Sequence, residues 1–159
     1  MGFHQWLDEK DSTLIRCAIE GEWTWEEFHE AMAEVRTLVY EKKQRTDLVI
    51  DLSDAGPLPM SAASIQLKNM LDRMPDHFGA VFLATPDTFT RMIVESLDRV
   101  LPEAKGKLYV AESVNFAKRM ILLLRGAEFD DGLDAATRPV IPTFNHMDGL
   151  GKDEAKSSG

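Results

Sequence analysis

Thr46-Asp-Leu-Val-Ile-Asp-Leu-Ser-Asp-Ala-Gly-Pro-Leu-Pro-Met-Ser-Ala-Ala-Ser-Ile-Gln-Leu-Lys-Asn-Met-Leu71 decides the fold. Leu48, Val49, Ile50 and Leu52 form a short, nearly continuous apolar run, the pattern of a strand covered on both faces, as in parallel sheets. Two prolines and a glycine between Ser53 and Pro59 exclude both helix and ladder. Ser61 then stands where a helix can begin. In α/β folds the crevice beyond the carboxyl end of a strand is the usual ligand and partner surface, so this loop is the expected working face.

Outward from this unit the chain alternates. Toward the N-terminus, Phe3 to Leu7 and Leu14 to Glu20 read as two strands joined by a polar hairpin turn, with Ile15, Cys17 and Ile19 facing the core. Thr24 and Glu27 form a capping box, with Trp23 and Phe28 as its hydrophobic staple, so a helix starts there and its apolar stripe continues to about Lys43. Trp25 is expected at the surface, as an interface candidate, and His29 on the charged side of that helix. Toward the C-terminus, Ala62 to Met74 reads as a helix with Ile65, Leu67, Met70, Leu71 and Met74 apolar, and Gly79 to Thr85 as a buried strand. Asp87 or Thr88 opens a third helix through Met92 and Val100 to Leu101, closed by Pro102. Lys107 to Ala111 is an edge strand, and Ser113 caps a last helix with Gly126 as its stop. The order strand, strand, helix, strand, helix, strand, helix, strand, helix predicts an α/β fold: a mixed, mostly parallel sheet with an N-terminal antiparallel hairpin strand and about four helices. Residues 1–126 form this domain; 127–159 form an acidic, partly disordered tail in which Val140, Ile141 and Phe144 could still dock on the domain.

Composition narrows the function. A chain of 159 residues with 44% hydrophobic content builds one ordinary domain. Its formal charge of -9 argues against a nucleic-acid partner, because phosphate binding needs clustered Lys and Arg. No apolar run approaches the roughly 20 residues of a membrane span. The lone Cys17 precludes an intrachain disulfide and fits a reducing, cytoplasmic setting. Gly-x-Ser-x-Gly is absent and no histidine has an evident base or metal partner, so an esterase-like enzyme is the weakest reading; no cofactor or metal is expected.

Ile50-Asp-Leu-Ser53, the following loop, Ser61 at a helix start, the strand ending Ala84-Thr-Pro86 and the late Leu108-Tyr-Val-Ala-Glu-Ser-Val114 resemble the STAS domain, the fold of bacterial anti-sigma factor antagonists and of the cytoplasmic domains of sulfate transporters. The likeness covers about Phe3 to Arg125. It implies a non-enzymatic regulatory module whose partner is a protein, of kinase or anti-sigma type. In the antagonists the loop carries Asp-Ser-Ser-Gly, its second serine being the phosphoacceptor. Counting from Asp51 sets Pro59, Met60, Ser61 and Ala62 on those positions, so only the acceptor-type serine is kept. Ser61 is the phosphorylation candidate and Ser64 the alternative; Ser61 is equally explained as a plain helix N-cap. The interaction surface is expected at Ser53, Asp54, Leu58, Met60, Ser61, Asp87 and Thr88, with Ser53 and Asp54 as turn-forming side chains. The alternative is a carrier or sensor of a small apolar or lipid-like ligand held between helices and sheet, with methionines supplying an adaptable groove. The edge strand Phe3 to Leu7 offers a homodimer contact.

Overall fold

The computed structural model describes residues 2–59, 62–96 and 106–129, with side chains through residue 126. Five strands and four helices follow the predicted order: β1 (Gly2–Leu7), β2 (Leu14–Gly21), α1 (Trp25–Glu41), β3 (Thr46–Ala55), α2 (Ala63–Asp72), β4 (Phe78–Ala84), α3 (Thr88–Ser96), β5 (Leu108–Ala111) and α4 (Val114–Phe129). The sheet order is β1-β2-β3-β4-β5, antiparallel between β1 and β2 and parallel elsewhere. Each strand therefore pairs with its neighbour in sequence, and each crossover helix returns the chain to the same end of the sheet.

Side-chain alternation divides the core into two layers. Ile15, Cys17, Ile19, Leu48, Ile50, Val81, Leu83 and Val110 point toward Phe28, Met32, Val35, Leu67, Met70 and Val94, so α1, α2 and α3 share one face. On the other face Val49, Ala80, Phe82, Ala84 and Ala111 meet Ala117, Met120 and Ile121 of α4. Small residues on that face let one helix cover the three strands β3, β4 and β5. Cys17 is buried in β2 and its thiol is pushed up to about 12 by desolvation, so it stays protonated and inert.

The α1 N-terminus forms as the capping box requires. Thr24 Oγ1 accepts from Glu27 N–H at 3.1 Å while Glu27 Oε1 accepts from Thr24 N–H at 2.9 Å. Trp23 and Phe28 close the staple with ring centroids 5.8 Å apart. Asp87 likewise accepts from Thr90 N–H ahead of α3, and Ser113 Oγ from Phe116 N–H ahead of α4.

Several expectations need correction. α4 passes through Gly126 to Phe129; one glycine costs a helix about 1 kcal/mol, less than a packed apolar face supplies. β3 runs on to Ala55, because a bulge at Ala18/Glu20 lets β2 pair Glu20 with Asp54 and Gly21 with Ala55. Ser53 and Asp54 are thus strand residues. Ile65 and Met92, assigned to apolar core stripes, are 58% and 60% exposed, since Leu67 and Met70 of α2 and Thr90 and Val94 of α3 face the sheet. Trp25 is buried with Trp23 and Phe28. Its ring stands edge-on to both, at 5.0 and 5.2 Å. The third helix beyond Ser96, including Val100 to Pro102, and the tail from residue 130 lie outside the described residues.

An ion network gathers at the amino ends of the parallel strands. Asp47 at the start of β3 is fully buried. Its Oδ1 accepts from Arg45 Nε at 3.0 Å and from Ala80 N–H at 2.8 Å, and its Oδ2 accepts from Arg125 Nε at 2.8 Å. Arg125 also donates to Asp11 Oδ2 at 2.6 Å and to Thr13 O at 3.0 Å, which ties the end of α4 to the hairpin. Gly79 faces this cluster, where an added Cβ would overlap Asp47 Oδ1 and the Arg45 guanidinium. A second anchor joins Lys118 Nζ of α4 to Asp8 Oδ1 at 3.0 Å, with Arg16 at 3.6 Å.

Asp47→Ala should destabilise the fold by about 3 kcal/mol in urea unfolding, because two guanidiniums lose the carboxylate that compensates their partial burial. Loss under about 1 kcal/mol would show that water replaces the carboxylate. The hairpin aspartates add a pH dependence. Burial raises both carboxyls, but hydrogen bonds and charges outweigh it, from Lys118, Lys10 N–H and Arg16 at Asp8 and from Thr13 and Arg125 at Asp11. Both therefore titrate below the usual carboxylate range. A depressed folded pKa stabilises above the unfolded value, and that contribution disappears as pH falls through the folded one. The urea midpoint should fall as pH drops below the usual carboxylate range, and Asp11→Asn should flatten the fall.

Candidate functional site

The carboxyl ends of β3 and β4 open onto a groove of about 340 Å³, placed where the loop prolines were expected to put a working surface. Trp23, Leu52, Ala55, Gly56, Pro57 and Leu58 line one side, and Thr85, Pro86, Asp87 and Thr90 the other. The loop is held from beneath. Trp25 Nε1 donates to Pro59 O at 3.1 Å, Gly56 N–H donates to Gly21 O at 2.7 Å, and Leu58 inserts into the core cluster. An indole judged from sequence to be a surface group is therefore the post on which the loop rests.

Asp87 is the charged side chain of the groove lining. The Thr90 hydroxyl and then the Thr90 backbone N–H, both donating to its carboxylate, hold it below the usual carboxylate range. Its own N–H donates to Thr85 Oγ1 at 3.1 Å. This end of the sheet is acidic: Asp51, Asp54, Glu20 and Glu22 stand on the neighbouring strand ends and loop. Trp23 is buried, and among the described residues its Nε1–H has no hydrogen-bond partner.

The expected site residues separate into three groups. Ser53, Asp54, Asp87 and Thr88 are exposed at this edge, as expected. Ser53 Oγ donates to Asp51 Oδ1 at 2.6 Å, and Thr88 Oγ1 accepts from Arg91 Nη2 at 3.2 Å. Leu58 is buried against the core, where it pins the loop, and its remaining surface lines the groove. Met60 and Ser61 lie outside the described residues. The residue that caps α2 is Ala62, in a left-handed conformation at φ 54° with no side-chain cap, so Ser61 is not the N-cap. Ser64 is half-buried in the first turn of α2. A helix start without a side-chain cap keeps backbone N–H groups and the positive end of its dipole available to an anion.

Residues that sequence reasoning missed flank the groove. Phe89, in the first turn of α3, is 65% exposed, and Met92 one turn on is similarly open, with Ile65 in the first turn of α2. Phe89 carried a signal, an aromatic beside the Asp87 cap and off the stripe of Thr90, Ile93 and Val94. His29, expected on the charged side of α1, bonds Gln66 Oε1 at 2.6 Å and joins α1 to α2, while His77 bonds Val39 O at 2.7 Å. Among the described residues no group of three or more His, Cys, Asp or Glu is placed to hold a metal ion, and no helix is long and apolar enough to cross a membrane.

With this geometry in view, the chain is similar to an uncharacterized protein of the DUF3478 family with a SpoIIAA-like fold from Shewanella loihica PV-4, whose crystal structure was determined at 2.25 Å. The TM-score is 0.53 at 15% identity, over 74% of this chain and 92% of that one. No protein-family model matches the sequence, and no curated protein does. The chain has the SpoIIAA-like fold, which is the STAS fold of anti-sigma factor antagonists.

Trp25→Phe keeps the ring in the aromatic cluster and removes the bond to Pro59 O. The expected result is a loss of about 1 kcal/mol in stability with faster amide exchange at Leu58. Unchanged exchange would mean that Leu58 packing alone fixes the loop.

Proposed function

We propose that this chain is a non-enzymatic regulatory module that captures a protein partner at the carboxyl end of its sheet, and that a serine at the start of α2, Ser61 or Ser64, is the switch. The observation that carries the reading is the uncapped α2 N-terminus beside an acidic groove and the exposed Phe89, Met92 and Ile65. Exposed large apolar side chains rimmed by polar groups mark interaction sites more often than plain surface. A phosphate added near a helix start gains the free N–H groups and the dipole, while the neighbouring Asp54 and Asp87 repel it. Modification there changes both charge and local order, which is how such a surface is turned on or off. The SpoIIAA-like fold supports this class of role, and a protein partner of kinase or anti-sigma type is the one that fold suggests.

A second reading rests on the buried Trp23 Nε1–H without a partner. A small apolar ligand bearing one acceptor would lie in the groove against Leu52, Leu58 and Pro86 and take that donor, making the module a carrier or sensor.

Intact-mass spectrometry of the protein from its native cells, first native and then denaturing, separates these readings. An added phosphate mapped to Ser61 or Ser64, with partner capture lost on Phe89→Asp, is the expected result. A non-covalent adduct seen only under native conditions would transfer the proposal to the carrier. Capture that survives both Phe89→Asp and Met92→Asp would sink the docking surface.

A further inference from the structure

We propose that two copies of this chain pair through the free edge of β1, antiparallel and about a twofold axis at Gln5. The strand order leaves β1 and β5 at the edges. β5 is four residues long, and short edges are one of the ways proteins avoid unwanted pairing. β1 is longer and, among the described residues, has none of the usual protection. Gly2-Phe-His-Gln-Trp-Leu7 contains no Lys, Arg, Asp, Glu or Pro, and its ladder to β2 runs without a bulge.

The hydrogen bonding defines which backbone groups of β1 are free. Asp8 N–H donates to Leu14 O at 2.8 Å, and in an antiparallel ladder the residues that bond across alternate with those that do not. The even-numbered residues of β1 accordingly face β2, and Phe3, Gln5 and Leu7 turn their N–H and C=O groups outward. β2 agrees with this phase, because its odd-numbered Gly21 and the preceding Thr13 give their carbonyls to Gly56 and Asp47 on the β3 side.

A second copy meets these groups by symmetry. Directly opposed residues in an antiparallel pair lie on one face, so a twofold partner sets odd residues against odd. With Gln5 opposite the partner's Gln5, Phe3 meets the partner's Leu7 and all the outward groups of Phe3, Gln5 and Leu7 are bonded. On the α1 side this stacks two half-buried apolar residues that already touch the core. On the other side it brings Trp6, 38% exposed, against the partner's His4. Sliding the register by one step sets Phe3 against Gln5 and leaves Leu7 unpaired. The side chains and the backbone thus select the same register, and the pairing makes one continuous sheet from two, a mode of association that rests on main-chain bonds.

Sedimentation equilibrium of the full chain should give a species of twice the 17.9 kDa chain mass that dissociates on dilution. Gln5→Cys places two thiols on the axis with Cα atoms about 5.5 Å apart, inside disulfide reach, so mild oxidation should cross-link it rapidly while Glu9→Cys in the hairpin stays uncross-linked. Gln5→Pro removes an outward N–H and no bond to β2; it should keep the circular dichroism spectrum and lose the dimer. Gln5→Glu and Gln5→Lys should each weaken association several-fold, and a mixture of the two should restore it. A chain that remains at 17.9 kDa at about 1 mM, or a dimer that survives Gln5→Pro and fails to cross-link through Gln5→Cys, would overturn the proposal.

Discussion

A carboxylate without water organises this protein. Asp47 occupies the second position of the central strand, where it is surrounded by β2, β4 and α4, and an isolated charge there would be prohibitive. Arg45, Arg125 and the Ala80 N–H supply its counter-charge and hydrogen bonds, and each comes from a different part of the chain. The position of α4 across the second face of the sheet, the placement of the hairpin through Asp11 and the glycine at position 79 all follow from satisfying this one group. The amino ends of the parallel strands are thereby closed and rigid, and the carboxyl ends are left to carry an open groove. The buried ion network and the groove lie at opposite ends of one sheet.

Element order was legible because periodicity and punctuation agree in this sequence. Leu48 to Leu52, broken only by Asp51, and Ala80 to Ala84 are apolar runs, and α1, α3 and α4 begin at the polar caps Thr24, Asp87 and Ser113. Ser61 misled because residue type alone cannot reveal that the chain enters α2 through a left-handed residue, which moves the cap to Ala62. Trp25 misled for a related reason: the capping box fixes where α1 begins, and only the return of the β3 loop over that helix start decides that its indole is covered. Asp47 was readable in principle, since an acid heading an apolar strand two residues after Arg45 is an anomaly. Its second guanidinium, seventy-eight residues on, was not. Long-range pairing leaves no local trace.

The groove owes its character to what supports it. Leu58 and Trp25 hold the loop from below, so the polar groups above them, Ser53, Asp54 and Asp87, are displayed on a fixed backbone. The loop has little conformational freedom left to lose. Phe89 and Ile65 sit on the first turns of two helices that emerge from adjacent strands, with Met92 one turn further along α3, which places them toward one end of the molecule by topology alone.

The strand order also bears on how the chain comes into being. Because every strand lies beside its predecessor in sequence, the sheet can grow strand by strand as the polypeptide leaves the ribosome, without waiting for a distant partner. Arg125 is the exception. Until the last helix is synthesised, Asp47 has only one of its two guanidinium partners, so the half-made sheet holds an incompletely hydrogen-bonded carboxylate at its amino end. Arrival of the final helix is then the event that makes the whole domain cooperative, and a nascent chain stopped before residue 125 is the form most in need of a chaperone.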